Sequence, residues 1–257
     1  MGSVSAMTET SGFLGVDGTP LAWRRVAGRA PTVVWLGGFH SDMTGTKAQA
    51  LADWAAARDQ DYLRFDYFGH GASGGTFVGG TITRWRDDVL AILDRLVAGP
   101  AVLVGSSMGG WLACLAALAR PERVAGLVLI APAADFTEKL LKPSLPPQAL
   151  AALARDGVWT RPSLYDDDGY PISAALLDDG ARWSILTGPV MIDRPVRILQ
   201  GGADPDVPWR HALELANAMT GDDVVFTLIR DGDHRLSRAV DIARLIAAVE
   251  EVVQSAS

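Results

Sequence analysis

A serine set between glycines, a histidine in a late polar turn and an aspartate between them in chain order are the residues here that could perform acyl transfer. Gly105-Ser106-Ser107-Met108-Gly109 matches G-x-S-x-G, whose glycines let a strand turn sharply into a helix with the serine at the apex. The register selects Ser107, because Gly105 and Gly109 flank it symmetrically; Ser106 has no such pair. The competing role for Ser107 is a plain helix cap. A serine hydroxyl is a poor nucleophile at neutral pH and needs an adjacent base. His234, in Asp231-Gly232-Asp233-His234-Arg235, follows the last predicted strand, on the same sheet edge as the Ser107 loop. His211 falls inside an amphipathic helix, at a surface or interface position. His70 sits in a Gly-rich loop as a structural hydrogen-bonder, and His40 follows Gly37-Gly38 near a candidate substrate entrance.

A catalytic imidazole needs an acceptor to fix its tautomer and stabilise the imidazolium. Asp204 stands just past a predicted strand, giving the order Ser107, Asp204, His234. Asp206 is its rival two residues on. Asp233 adjoins the base too closely for the geometry and is read as a solvated turn residue. The tetrahedral oxyanion needs two donors, for which the backbone N–H groups of Met108 and Phe39 fit, with Gly37 and Gly38 letting the Phe39 loop approach. No cluster has metal-ligand spacing, and the Gly-rich loops lack the lysine of a phosphate cradle. The chemistry expected is therefore free of metal and cofactor.

These residues need a frame. Phe13 to Val16 and Leu21 to Val26 predict a hairpin about Asp17-Gly18. Strands are then expected at Thr32 to Leu36, Tyr62 to Tyr67, Val102 to Val104, Val124 to Ile130, Pro195 to Leu199 and Val224 to Ile229. Helices are expected between them, the first with a Thr46/Gln49 capping box. Strands alternating with helices mean a mostly parallel sheet covered on both faces. From about 131 to 193 the alternation breaks, and this insertion is expected to form a small cap of short helices over the end of the sheet. Residues 1–10 are expected to lie outside the fold, disordered or tag-derived.

At 257 residues and 49% apolar, one α/β domain with a large core is expected. The net charge of −7 argues against nucleic acid or an anionic membrane surface as partner. Cys114 is the one cysteine, so no internal disulfide forms, and its place in the helix after Ser107 makes it a small core residue. No apolar run is long enough to span a bilayer, and no signal peptide is visible, so a cytoplasmic location is expected.

The sequence resembles the α/β-hydrolase superfamily from about Pro31 to the C-terminal helix. Within it, the chain is most similar to the branch of mitochondrial S-depalmitoylase and acyl-glucuronide esterase abhydrolases and their bacterial relatives. The phrases that carry the closer likeness are Gly45-Thr46-Lys47-Ala48, Arg64-Phe65-Asp66-Tyr67, Gly105 to Leu112, Gly157-Val158-Trp159 and Asp233-His234-Arg235. Carried over position by position, the resemblance implies Ser107 as nucleophile, Asp204 as acid, His234 as base, and Phe39 and Met108 as oxyanion donors. Gln200-Gly201 departs from the His-Gly of many relatives, with only a small effect on loop packing expected.

The function expected is hydrolysis of carboxylic esters or thioesters with an apolar acyl group, on a small molecule or an acylated protein. Phe136, Leu140, Trp159 and Tyr165 join Phe39 and Met108 as candidates for the acyl pocket. Carbon–carbon bond hydrolysis on the same three residues, and a non-catalytic small-molecule receptor, are the alternatives; oligomeric state is left open.

Overall fold

The computed structural model describes residues 9–162 and 169–256. The chain opens with a hairpin, β1 (Thr10–Val16) and β2 (Thr19–Val26), turned by Asp17 and Gly18, both at positive φ. Glu9 and Thr10 depart from the expectation for residues 1–10. Thr10 already pairs with Arg25, and the Glu9 carboxylate accepts from the buried Arg64 guanidinium, so these two residues belong to the fold.

The alternating units follow: β3 (Arg29–Leu36), α1 (Thr46–Arg58), β4 (Gln60–Phe65), α2 (Ile82–Leu96), β5 (Ala101–Ser106), α3 (Met108–Ala119) and β6 (Val124–Ile130). After the insertion come β9 (Val196–Gly201), α6 (Trp209–Ala218), β10 (Val224–Ile229) and α7 (Ala239–Ser255). Eight strands form one sheet in the order β1-β2-β4-β3-β5-β6-β9-β10, antiparallel about β2 and parallel from β4 onward. β3, β5 and β6 are apolar along nearly their whole length because both faces are covered. Trp85, Trp111 and Leu215 from α2, α3 and α6 fill one face, and Leu51, Leu245 and Val249 from α1 and α7 fill the other.

The expected capping box is absent. Gly45 caps α1 through its carbonyl, with no side-chain cap, while the Gln49 amide side chain bonds Asp53. The insertion between β6 and β9 is also more mixed than a set of short helices. It carries a π-helical turn (Thr137–Leu141), α4 (Pro147–Asp156), an antiparallel hairpin of β7 (Val158–Arg161) and β8 (Tyr170–Ser173), and α5 (Ala174–Gly180). Trp159 and Ile172 pair across that hairpin, and two apolar residues facing each other suit a strand pair better than a helix. The insertion is fastened at both ends. Asp135 accepts the amides of Ile185 and Leu186 at 2.9 Å, and Asp179 accepts from Thr83 of α2.

Candidate active site

Ser107 stands between β5 and α3 at φ 54° and ψ −115°, a backbone conformation that is strained for any residue with a side chain. The surroundings leave it no alternative. Its N–H donates to the Ile130 carbonyl (2.8 Å), and its own carbonyl accepts from Gly110 (3.0 Å) and Ala133 (3.1 Å). The flanking glycines are steric requirements. A Cβ at Gly109 would lie 2.1 Å from the Leu36 carbonyl oxygen, and one at Gly105 would lie 2.3 Å from the Gly109 oxygen. The strand can therefore turn into the helix only where both side chains are missing.

His234 Nδ1 lies 2.8 Å from Asp204 Oδ2, so the N–H donates there and the other ring nitrogen is left as a potential base. The Asp204 carboxylate is buried, and its second oxygen accepts the amides of Asp206 and Val207, both at 2.9 Å. Those contacts separate the two rival acids. Asp204 holds the imidazole, while Asp206 supplies a backbone donor to Asp204. Asp233 is a solvent-exposed turn residue, as expected, and it also accepts the Leu236 amide at 2.9 Å, which shapes the turn that carries His234.

Gln200 does more than pack a loop. It is fully buried, and its Nε2 lies near three acceptors: Val207 O (3.0 Å), Gly201 O (3.1 Å) and Asp204 Oδ2 (3.2 Å). A flipped amide would set its oxygen against those three oxygens, so the nitrogen must face them.

The loop from β3 to α1 comes to rest over the serine. An added Cβ at Gly38 would sit 3.6 Å from Ser107 Cβ, an ordinary contact, so Gly38 keeps the space open rather than relieving a clash. Ser41 Oγ donates to the Gly38 carbonyl (2.8 Å) and the Tyr67 hydroxyl donates to the Gly37 carbonyl (3.2 Å). Because a trans peptide sets N–H opposite C=O, tying Gly38 O to Ser41 turns the Phe39 amide the other way. Asp66 braces the same region by accepting the Met43 amide (2.7 Å) from this loop and the Ala72 amide (2.8 Å) from the next. Burial raises its carboxyl above the usual range, opposed by those two amides.

Ser107 and His234 line one cavity of about 500 Å³. Its lining includes the apolar residues Phe39, Met108, Phe136, Leu140 and Ile172 and the basic residues Lys47, Arg161 and Arg235. Lys47 Nζ donates to the Arg235 carbonyl at 2.5 Å, tying the start of α1 to the histidine loop. Burial, and then the Arg235 charge, lower its pKa to about 8, partly offset by Asp233.

A family model described as serine aminopeptidase, S33 matches residues 29–174. The chain belongs to this family of α/β hydrolases. It is 37% identical over 238 residues to the palmitoyl-protein thioesterase ABHD10, mitochondrial, of Mus musculus, covering 92% of this chain and 80% of that one. Among solved structures, it is similar to a putative hydrolase from Agrobacterium vitis S4, at 44% identity and TM-score 0.92, covering 96% and 99% of the two chains. The mouse alpha/beta hydrolase domain-containing protein 10 superposes with TM-score 0.88 at 36% identity, covering 96% and 100%. The fold is thus the α/β-hydrolase fold, and this hydrolase is an enzyme that cleaves esters or thioesters.

Within this hydrolase, six of the nine residues picked from sequence meet at the cavity: Ser107, His234, Phe39, Met108, Phe136 and Leu140. Asp204 sits behind His234. Trp159 does not reach the cavity wall. Ile172, which pairs with it across the hairpin, does line the cavity, while Trp159 packs partly buried against the main hydrophobic core. Tyr165 lies outside the described residues. Tyr170 and Ile172 take the place intended for these aromatics, and their i, i+2 spacing in a short strand was the available signal. His211 is not a surface residue: it is buried, with Nε2 2.8 Å from the Ala134 carbonyl, because α6 packs under the start of the insertion.

Proposed function

We propose that this hydrolase cleaves thioesters and esters of apolar acyl groups through an acyl-enzyme on Ser107, with His234 as base and Asp204 as the acid behind it. The observation that carries the proposal is the pairing of a strained serine at a strand–helix apex with an imidazole in the same cavity, its tautomer held by a buried carboxylate. His234 Nε2 takes the Ser107 proton as Oγ attacks the acyl carbonyl, then returns it to the departing thiol or alcohol. Water repeats the sequence to release the acid. The Met108 amide, at the N-terminus of α3, and the Phe39 amide are the proposed oxyanion donors. Neither bonds an acceptor in the turns and loops among the described residues, and the α3 dipole favours negative charge at that end.

The apolar lining residues Phe39, Phe136, Leu140 and Ile172 suit an acyl chain, and Lys47 and Arg235 suit a polar leaving group. The relatives named for palmitoyl-protein thioesterase activity support an acylated protein or a small acylated molecule as substrate. Hydrolysis of p-nitrophenyl esters from acetyl to palmitoyl, beside an S-palmitoyl peptide, tests this. Turnover is expected to favour the longer acyl groups and to fall by at least about a thousandfold in Ser107→Ala and Asp204→Asn. Asp206→Asn is expected to stay within about tenfold of the parent. Equal losses in the two aspartate variants would reject Asp204 as the acid. Preference for acetyl would leave a small-ester esterase, and no Ser107-dependent turnover would favour carbon–carbon hydrolysis or a receptor.

A further inference from the structure

The sheet ends at β10, which bonds β9 along one side and no other strand among the described residues. Natural edge strands are commonly blunted by lysine, proline, glycine or a bulge, which prevents pairing with another chain. Val224–Ile229 carries none of these residues and pairs with β9 in unbroken register. Val225 and Leu228 are 44% and 45% exposed. The opposite edge, β1, is interrupted by Gly12 and Gly15 and makes a poorer template.

We propose that β10 is a homodimer interface, pairing antiparallel with β10 of a second copy so that two eight-stranded sheets become one. The two-fold axis that relates such strands stands perpendicular to the sheet and keeps every side chain on its own face. Only residues of equal parity can then lie opposite one another. With Phe226 on the axis, Val224 faces Leu228 of the second copy, Val225 faces Thr227, and Asp222 faces Arg230. The strand is its own complement, apolar in the middle with an acid and a base exchanged at each end. Both charged residues are exposed, and the chain's own ion pairs use their neighbours instead: Asp223 goes to Arg197, and Asp231 goes to Arg238. Moving the axis to Thr227 would oppose Asp223 and Asp231, which are like charges. The Phe226 register is therefore the favoured one. β10 lies three strands from β5, so each copy keeps its own Ser107 cavity.

Sedimentation equilibrium of the full chain over the micromolar range tests the proposal. The parent is expected to be dimeric. Asp222→Arg and Arg230→Asp are each expected to raise the dimer Kd by at least about tenfold, since each places like charges at both ends of the pairing. The double exchange is expected to restore it. Leu228→Lys is expected to give a monomer with unchanged ester hydrolysis per chain, which shows that the fold is intact. A monomeric parent over the whole range would overturn the proposal. So would a dimer indifferent to Leu228→Lys, or a double exchange no better than its single variants.

Discussion

Asp204 Oδ2 receives two side-chain donors, His234 Nδ1 at 2.8 Å and Gln200 Nε2 at 3.2 Å, and the second decides how firmly the first is held. A carboxylate with donors on both oxygens cannot rotate, so the proposed base meets the serine in one orientation. Gln200→Leu keeps most of the volume, removes that donor and leaves the Val207 and Gly201 carbonyls without a partner that now lies at 3.0 and 3.1 Å. With fewer donors the carboxylate is freer to turn, and the proposed base is held less firmly. kcat is therefore expected to fall about tenfold with KM little changed. A loss of thermal stability with unchanged kcat would reduce Gln200 to a packing residue. Its importance was hidden in the sequence, because a glutamine in a strand reads as polar filler until the loop four residues later folds back onto it.

At the scale of elements, the turn from β5 into α3 is where sequence and geometry agree most closely. Gly109→Ala would set a methyl 2.1 Å from one backbone oxygen of β3 and close to a second, that of Gly37 at 2.5 Å, and neither can step aside. The variant is expected to lose at least about 2 kcal/mol of stability and most of its activity, measured by urea unfolding and ester turnover. Gly99→Ala, where nothing lies within 4 Å, is expected to stay within about 0.5 kcal/mol of the parent. Equal effects at the two positions would contradict the steric account. This turn was legible because G-x-S-x-G is local: strand, apex and helix follow one another without a break from Ala101 to Ala119. The parallel strands were legible for the same reason, as short apolar runs between turn residues. The insertion was not, because its hairpin pairs four-residue strands across a loop and its fastening residues, Asp135 and Asp179, gain meaning only from partners 50 and 96 residues away. The Arg64-Phe65-Asp66-Tyr67 phrase carried a resemblance without a reason. The fold supplies one, since Asp66 and Tyr67 hold the loop that bears Phe39.

At the scale of the whole molecule, two buried titrating groups hold the same residue, Phe68, and act on stability with opposite sign. His70 Nδ1 donates to the Phe68 carbonyl at 3.1 Å, and Asp88 Oδ2 accepts the Phe68 amide at 2.8 Å. Together they fix the loop that β4 sends toward α2. Burial among Tyr67, Phe77 and Trp85 lowers the His70 pKa to about 4, with a smaller push from His40. Burial raises Asp88 to about 6, against the pull of the Phe68 amide and of Arg84. Between pH 6.5 and 4 the unfolded chain binds a proton at His70 that the native state refuses, so this group costs stability on acidification. Between pH 6 and 3.8 the native state binds the Asp88 proton more readily than the unfolded chain, so that group returns stability on acidification. The two contributions, each on the order of 3 kcal/mol, largely cancel in the parent over this window. Separating them makes each visible. Asp88→Asn is expected to lose stability more steeply than the parent as pH falls from 6.5 to 4, because only the histidine contribution remains. His70→Asn is expected to show a flatter or inverted slope, because only the carboxyl contribution remains. Urea unfolding at pH 7, 5.5 and 4.5 measures both. Parallel slopes in the two variants would mean that neither group titrates as its burial requires, and that the Phe68 clamp is held by hydrogen bonding alone.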